Sequence, residues 1–518
     1  MSKLNSIGTR FIASLSTVER AYVKRRQQND KAEKIRVTST GRTITGAYEQ
    51  LRNAAEYTDD SLLLQRAIRR FYRRVFISGD EIDIANSGEE LVTELTLAGY
   101  LPNESVTKKA STQMSKLAVD YFSAYNKLHH DGSTEDVYSW TIDILAVEVA
   151  TMLSEIDTRD VFLQFAFESF TKSINWSSLF RSGVPENYEL CLYITLHQVL
   201  LKSDNATIRW HLLRRFQCSP DKYSKFVSSN KVVDGLLSDD NIAIITRAVS
   251  KYSASFRILR GMMREHDNFG ELLSDKTSFL SAYENQINRE YKSAESKVKR
   301  GIKKSITFLI ITKVLIGLAI EVPYDLAVHG AVEWLVLAIN LTAPILYLIP
   351  IGFTIKVPSR SNTLALIEQM TGWLFDDKPM KISAPKKQRY SGVFGVVYGF
   401  LMVLIFGLVS WGLISLGFDV VHLLVFMTFF SAASFLGFRL TKFIKEVEAF
   451  EGDQSGIAML RDFIYLPFVV VGRKLNQEYA KLNLVANVLD LVIEMPLKSI
   501  LKLIRQWSVF ISSKKDEL

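Results

Sequence analysis

Four apolar runs, Ser305–Ile320, Ala331–Thr354, Val393–Phe418 and Val420–Phe438, alternate with polar connectors between Lys304 and Arg439. A helix of roughly 20 apolar residues covers the ~30 Å hydrocarbon core of a bilayer. Val393–Phe418 exceeds that length and Val420–Phe438 just meets it. Ser305–Ile320 is short and carries Lys313. Ala331–Thr354 holds Pro344 and Pro350, which predict a kink or a partly unwound inner end. The pattern predicts four spans in two hairpins.

Charge in the connectors gives the spans a direction. Lys292, Lys297, Lys299, Arg300, Lys303 and Lys304 precede the first run, whereas Glu321–Gly330 has neither Lys nor Arg. The loop from Lys356 to Arg389 carries seven cations, the link Gly417–Val421 none, and Arg439, Lys442 and Lys445 follow the last run. Cations resist translocation, so both chain ends and the loop 356–390 are expected in the cytoplasm. No cleavable leader precedes the first run, because Met1–Glu19 has no continuous apolar stretch.

Residues 1–273 read as a cytoplasmic α-helical domain. Helix starts recur at Ser87 with Glu90, at Pro185-Glu186, and at Asp157 with Asp160. Breaks fall at Ser78–Asp80, His130–Ser133, Ser182–Pro185 and Ser219–Asp221. Residues 274–304 form a basic stalk helix that can run straight into the first span unless it breaks near Gly301. Residues 305–438 make the four-span domain, whose loop holds Leu364, Leu366, Ile367 and Trp373 on an expected interfacial helix. Residues 439–518 form a cytoplasmic or interfacial tail. Within it, Asp490, Glu494, Lys498, Lys502 and Arg505 draw one charged stripe on an otherwise apolar helix, which suits the membrane interface. The fold class is therefore all-α.

Composition adjusts this picture little. The 518 residues carry a net charge of +8. That balance fits positive-inside loops and attraction to anionic headgroups, and it gives no footprint for nucleic acid. Cys191 and Cys218 are too few for a disulfide framework and read as reduced thiols. The terminal Lys515-Asp516-Glu517-Leu518 matches a retrieval signal read only from the ER lumen, the wrong side for this topology. No P-loop, dinucleotide-binding, zinc-protease or hydrolase motif occurs, so neither an enzyme nor a cofactor is expected.

Three clusters carry candidate chemistry. Lys313, level with Asn340 by helical rise, marks a transport path or, as the preferred reading, snorkels ~13 Å back toward Lys304. The outer rim gathers Glu321, Asp325, His329, Glu333, Asp419 and His422. Such a set binds cations or senses pH, or is simply the cation-free loop that topology demands. Arg66, Arg70, Arg73 and Arg74 beside an apolar stripe either hold anionic lipid or an acidic partner, or form a solvated face, which is preferred.

The segments Glu321-Val322-Pro323-Tyr324-Asp325, Asn340–Tyr347 and Lys356–Thr363 resemble parts of uncharacterised multi-pass membrane proteins of Saccharibacteria and related reduced-genome bacteria. The resemblance covers the middle of the chain and implies a bacterial plasma membrane. The expected role is a membrane-anchored scaffold with an unidentified cytoplasmic partner. The alternative is a small transporter or channel subunit, working as a homo-oligomer, with its path at Lys313 and Asn340.

Overall fold

The computed structural model describes residues 4–38, 60–154, 158–180, 183–266, 269–354, 358–378, 380–383, 392–449 and 465–477, with Arg42, Thr45, Gly46, Glu49 and Trp507. Its elements are helices, and the described residues contain no strand, only isolated bridge residues such as Lys34 with Thr107. The expected amphipathic helix over 482–510 lies outside the described residues. The chain divides into two compact units, with the boundary between Val249 and Ser250 rather than at 273.

The helical unit spans Asn5–Val249. Its framework is α1 (Ser6–Asp30), α2 (Asp60–Ser78), α3 (Ser87–Leu97), α4 (Lys108–His130), α5 (Glu135–Leu153), α6 (Arg159–Ser173), α7 (Tyr188–Leu196), α8 (Asn205–Arg215) and α9 (Tyr223–Leu237). Helix α2 lies on α5, which also packs on α4 and α8. Ile68, Phe71, Tyr72 and Phe76 of α2 bury their side chains with Leu91, Met114, Leu145 and Phe226. Helix α1 docks on α6 through stacked Phe11 and Phe165, 4.5 Å apart. Gly88 allows the α3–α4 approach: a Cβ there would stand 2.0 Å from the Ser111 carbonyl oxygen. Helix α3 begins at Ser87 behind Asn86 with no side-chain cap, so Ser87 is a buried helical residue and not the expected cap. The breaks at Gly79 and Gly132 fall where positive φ, +68° and +69°, ends a helix.

Burial decides the chemistry of this unit. The Cys191 thiol, fully buried and beside Asp239, is pushed up to about 12 and stays protonated. His197 opens a π turn, His197–Leu201, and lies 4.5 Å from the His211 ring. Burial, then His211 and Arg159, push His197 well below the usual imidazole range.

The span unit covers Ser250–Val488. Helix α10 (Ser253–Glu265) packs on α11 (Lys276–Ile316). Helix α11 is the stalk and the first apolar run in one piece. It passes Gly301 without a break, because Leu440 fills the space a Cβ would need. A π turn, Gly317–Glu321, and α12 (Val322–Val328) prolong it. Then follow α13 (Trp334–Thr354), α14 (Arg360–Leu374), α15 (Gly392–Ser415), α16 (Val420–Lys445) and a helix over 465–477.

Among the described residues three helices are long and apolar enough to cross a membrane: Lys276–Val328, Gly395–Ser415 and Val420–Lys445. These mark a membrane protein. The apolar stretch Trp334–Ile349 of α13 is shorter. Helix α13 continues through Pro344 and Pro350, so the expected unwound inner end is not seen before Thr354. Helices α11, α13 and α16 pack on one another, whereas α15 touches α16 lightly and leaves Val396, Phe400, Val403 and Trp411 exposed. Such faces suit hydrocarbon and would be costly in water.

Two further segments dock on this bundle. The loop helix α14 packs on α10 and α11, with Leu366, Met370, Trp373 and Leu374 buried and Leu364 outside. It is a packed helix and not the interfacial one expected, because Trp373 meets Phe256 and Tyr252 edge-on. In the 465–477 helix, Phe468 meets Phe406 and Phe430, and Gly472 lies against the Ser431 carbonyl.

A candidate polar network among the spans

The site is assembled where the C-terminal end of α11 meets the N-terminal parts of α13 and α16. Lys313 sits on the first span with a side chain only 3% exposed, and its Nζ lies 2.5 Å from Oε1 of Glu321, which is fully buried. On a regular α-helix residues eight apart stand about 80° out of register. The wider π turn Gly317–Glu321 rotates Glu321 back toward the face of Lys313. The ammonium also lies over the Phe429 ring, 4.8 Å from its centroid. Lys313 therefore does not reach back toward Lys304. A local carboxylate compensates its charge better than a stretched side chain, which corrects the snorkelling expectation.

Asn340 of α13 joins this pair to the rim. Its Nδ2 donates to Glu321 Oε1 and to the backbone oxygen of His422, both at 3.3 Å. Asn340 Oδ1 and Glu321 Oε2 are buried without a hydrogen-bond partner among the described residues.

His422, in the first turn of α16, is also fully buried. Its Nδ1 is 2.9 Å from Asp419 Oδ1 and its Nε2 is 3.1 Å from Asp325 Oδ1. Both contacts are at ion-pair distance but are bent away from hydrogen-bond geometry. Asp325 is held by the Glu333 N–H, which donates to Oδ2 at 3.0 Å. Asp419 caps α16, accepting from the His422 N–H at 3.0 Å. Its other oxygen lies 3.2 Å from His329 Nε2. Burial works against charge on Asp419, yet hydrogen bonds from the His422 amide, Tyr324 and His329 hold its carboxyl down at about 2. His329 Nδ1 and Glu333 Oε1 are 4.0 Å apart at the exposed end.

The two clusters that the sequence offers separately, Lys313 with Asn340 and the acidic rim, are thus one string with Glu321 in both. Its outer end, at His329, Glu333 and Asp419, is partly exposed. One turn toward the inner ends of the helices, Leu309, Leu348, Phe429 and Ala433 pack into an apolar cluster. The rim residues meet pairwise. No group of three or more His, Cys, Asp or Glu side chains among the described residues is placed to hold a metal ion.

The arginines of α2 are engaged within their own unit. Arg70 pairs with Glu49 at 2.8 Å, Arg73 with Glu135 at 2.9 Å and Arg74 with Glu94 at 2.6 Å. Arg66 also has a partner. Arg69, which the sequence reading passed over, bridges Asp143 and Asp204. These pairs hold the α2 core rather than offering free cations.

A second buried cluster lies where α11, α14 and the end of α16 converge. Asn362 donates to Tyr291 Oη at 2.7 Å and to the Val447 carbonyl at 3.0 Å, and accepts from the Ala449 N–H at 2.7 Å. Nothing in the sequence singles it out, since an Asn near a helix start ordinarily reads as a cap.

No family model, no characterised protein and no solved structure matches this chain.

Proposed function

We propose that this chain is a multi-pass protein of a bacterial plasma membrane that acts as an anchored scaffold, with the helical unit and the tail on the cytoplasmic face. In this reading α13 is the fourth span, and two hairpins place the rim outside. The observation that carries it is α11. One helix supplies both the polar spine, where Phe279, Tyr283, Ile287, Tyr291 and Val298 are buried, and the first span. A displacement at the rim reaches the cytoplasmic side along it without crossing a loop. The Lys/Arg asymmetry supports the orientation. The helical unit supplies the surface for a cytoplasmic partner, and no residue set in it favours catalysis.

The buried Lys313–Glu321 pair favours the transporter alternative, since intramembrane charges usually mark pathways. Against it, the polar string gives way to the apolar cluster of Leu309, Leu348, Phe429 and Ala433, which offers a polar solute no partner. Full-length protein reconstituted in liposomes with a potassium gradient and an internal pH dye separates the two. The scaffold reading expects proton and potassium leak equal to that of protein-free vesicles. A leak that Glu321→Gln abolishes would overturn it in favour of transport.

A further inference from the structure

We propose that the rim network is a proton-binding site centred on His422, loaded from the outer face, whose occupancy sets the contact between α12 and α16. It rests on the proposed function only in that the rim must face water.

The first observation is the ring itself. Both nitrogens of His422 face carboxylate oxygens, Asp419 on one side and Asp325 on the other. A neutral imidazole has one N–H and one lone pair, so it can serve only one of them. The second nitrogen then opposes carboxylate lone pairs. The imidazolium donates to both. With the single N–H of the neutral ring on Nδ1, toward Asp419, the Asp325 contact is favourable for the imidazolium and repulsive for the neutral ring, in a fully buried place where neither group can turn to solvent.

The second observation is the loading path. Asp419 touches His422 with Oδ1 and His329 with Oδ2, and His329 is one-third exposed. Imidazole, carboxylate and imidazole are thus in contact from solvent to the buried ring. The reaction is proton transfer alone: a His422 ring nitrogen gains a proton, neutral imidazole becomes imidazolium, no electron changes hands, and the ionised Asp419 with His329 connects that ring to solvent.

The third observation is that two further buried polar atoms beside this ring, Glu321 Oε2 and Asn340 Oδ1, have no hydrogen-bond partner among the described residues. A structural network satisfies such atoms; a site with two arrangements leaves some open in each. The other titratable groups facing His422 are Tyr324 of α12, whose ring is 5.9 Å away, and, through Asn340, the Glu321–Lys313 pair. Glu333 acts on it through Asp325. Apart from the Lys313 that Glu321 already neutralises, no Lys or Arg contributes, so the proton is the cation this site is short of.

The structure also says what moves. Asp325 belongs to α12, which continues the helix of the first span. Loss of the proton turns the α12–α16 contact repulsive and frees the outer end of that helix.

The test uses the full chain in lipid nanodiscs with ¹⁵N-labelled histidine. The seven histidines are resolved by single His→Gln variants; if His422→Gln does not fold, its signal follows by elimination from the other six. Across a pH series the His422 ring is expected to pass between two attached protons and one. Amide exchange over Val322–Val328 should rise in the deprotonated form within the same step. Asp325→Asn should remove the exchange step while His422 still titrates. A His422 ring in one state over the whole range would overturn the proposal. So would an exchange step that persists in Asp325→Asn. Either failure leaves the membrane topology untouched, because labelling of the rim tests that separately.

Discussion

Glu321→Leu is expected to destabilise the span unit by about 3–5 kcal/mol, the range for stranding one partner of a buried ion pair. The substitution leaves the buried Lys313 ammonium over the Phe429 ring without the carboxylate that compensates its charge. It also takes from Asn340 one of its two acceptors. Lys313→Met with Glu321→Leu should recover most of the loss. Well-packed apolar replacements of a buried pair are often neutral or better, and the helices here need no charge to pack. Reversible denaturation of the full chain in detergent gives the cycle. A double variant as unstable as Glu321→Leu alone would mean that the pair does not act as a unit. An undamaged Glu321→Leu would mean that Lys313 finds another partner. Retention of so costly a pair in a bundle that could do without it is what points to a use for it.

The second large effect is expected at Asn362. Asn362→Leu keeps the volume but leaves Tyr291 Oη, the Val447 carbonyl and the Ala449 N–H without the bonds that Asn362 supplies. Each buried group stranded costs about 1–3 kcal/mol, and Tyr291 keeps only a long contact to Thr363, 3.4 Å. A loss of roughly 3–5 kcal/mol follows if at least two of the three stay unpaired. The outcome should be local. Helix α14 should lose hydrogen-exchange protection first, since Trp373, Leu366 and Met370 then hold it alone, while Lys313 and Glu321 stay buried. Simultaneous loss of protection in α14 and at the rim would contradict this, and would make the span unit one cooperative block.

Three membrane-length helices were legible because hydropathy acts over whole runs and needs no local geometry. The stalk that becomes a span was legible for the same reason: no residue near Gly301 forbids the helix. The pairing of Lys313 was not. Counted on an α-helix, Glu321 falls on the wrong face and Asn340 is the nearest polar neighbour by height. The π turn that brings Glu321 round leaves no mark in Gly317-Leu318-Ala319-Ile320-Glu321. The rim residues were found as a set, since each is conspicuous against a cation-free loop, but which carboxylate meets which imidazole depends on the helix packing. Helix α14 shows the converse error. Its apolar residues suit an interface or a core equally well, and only the aromatic side chains of α10 decide for the core. The pairing of the α2 arginines was not legible, because their acidic partners, Glu49, Glu94 and Glu135, lie on other elements of the chain.

The central claim is that the apolar helices cross a bilayer with the rim on one side and both polar ends on the other. Single cysteines at Val328, Leu416, Ser238, Ser383 and Ser513, labelled on intact cells with an impermeant thiol reagent, test it most directly. Cys218→Ser suffices as background, because the buried Cys191 thiol, pushed up to about 12, stays silent. The account predicts labelling at 328 and 416 only, with 238, 383 and 513 reacting after the cells are opened. Labelling of 238 or 513 on intact cells, or protection of 328 and 416, would contradict it.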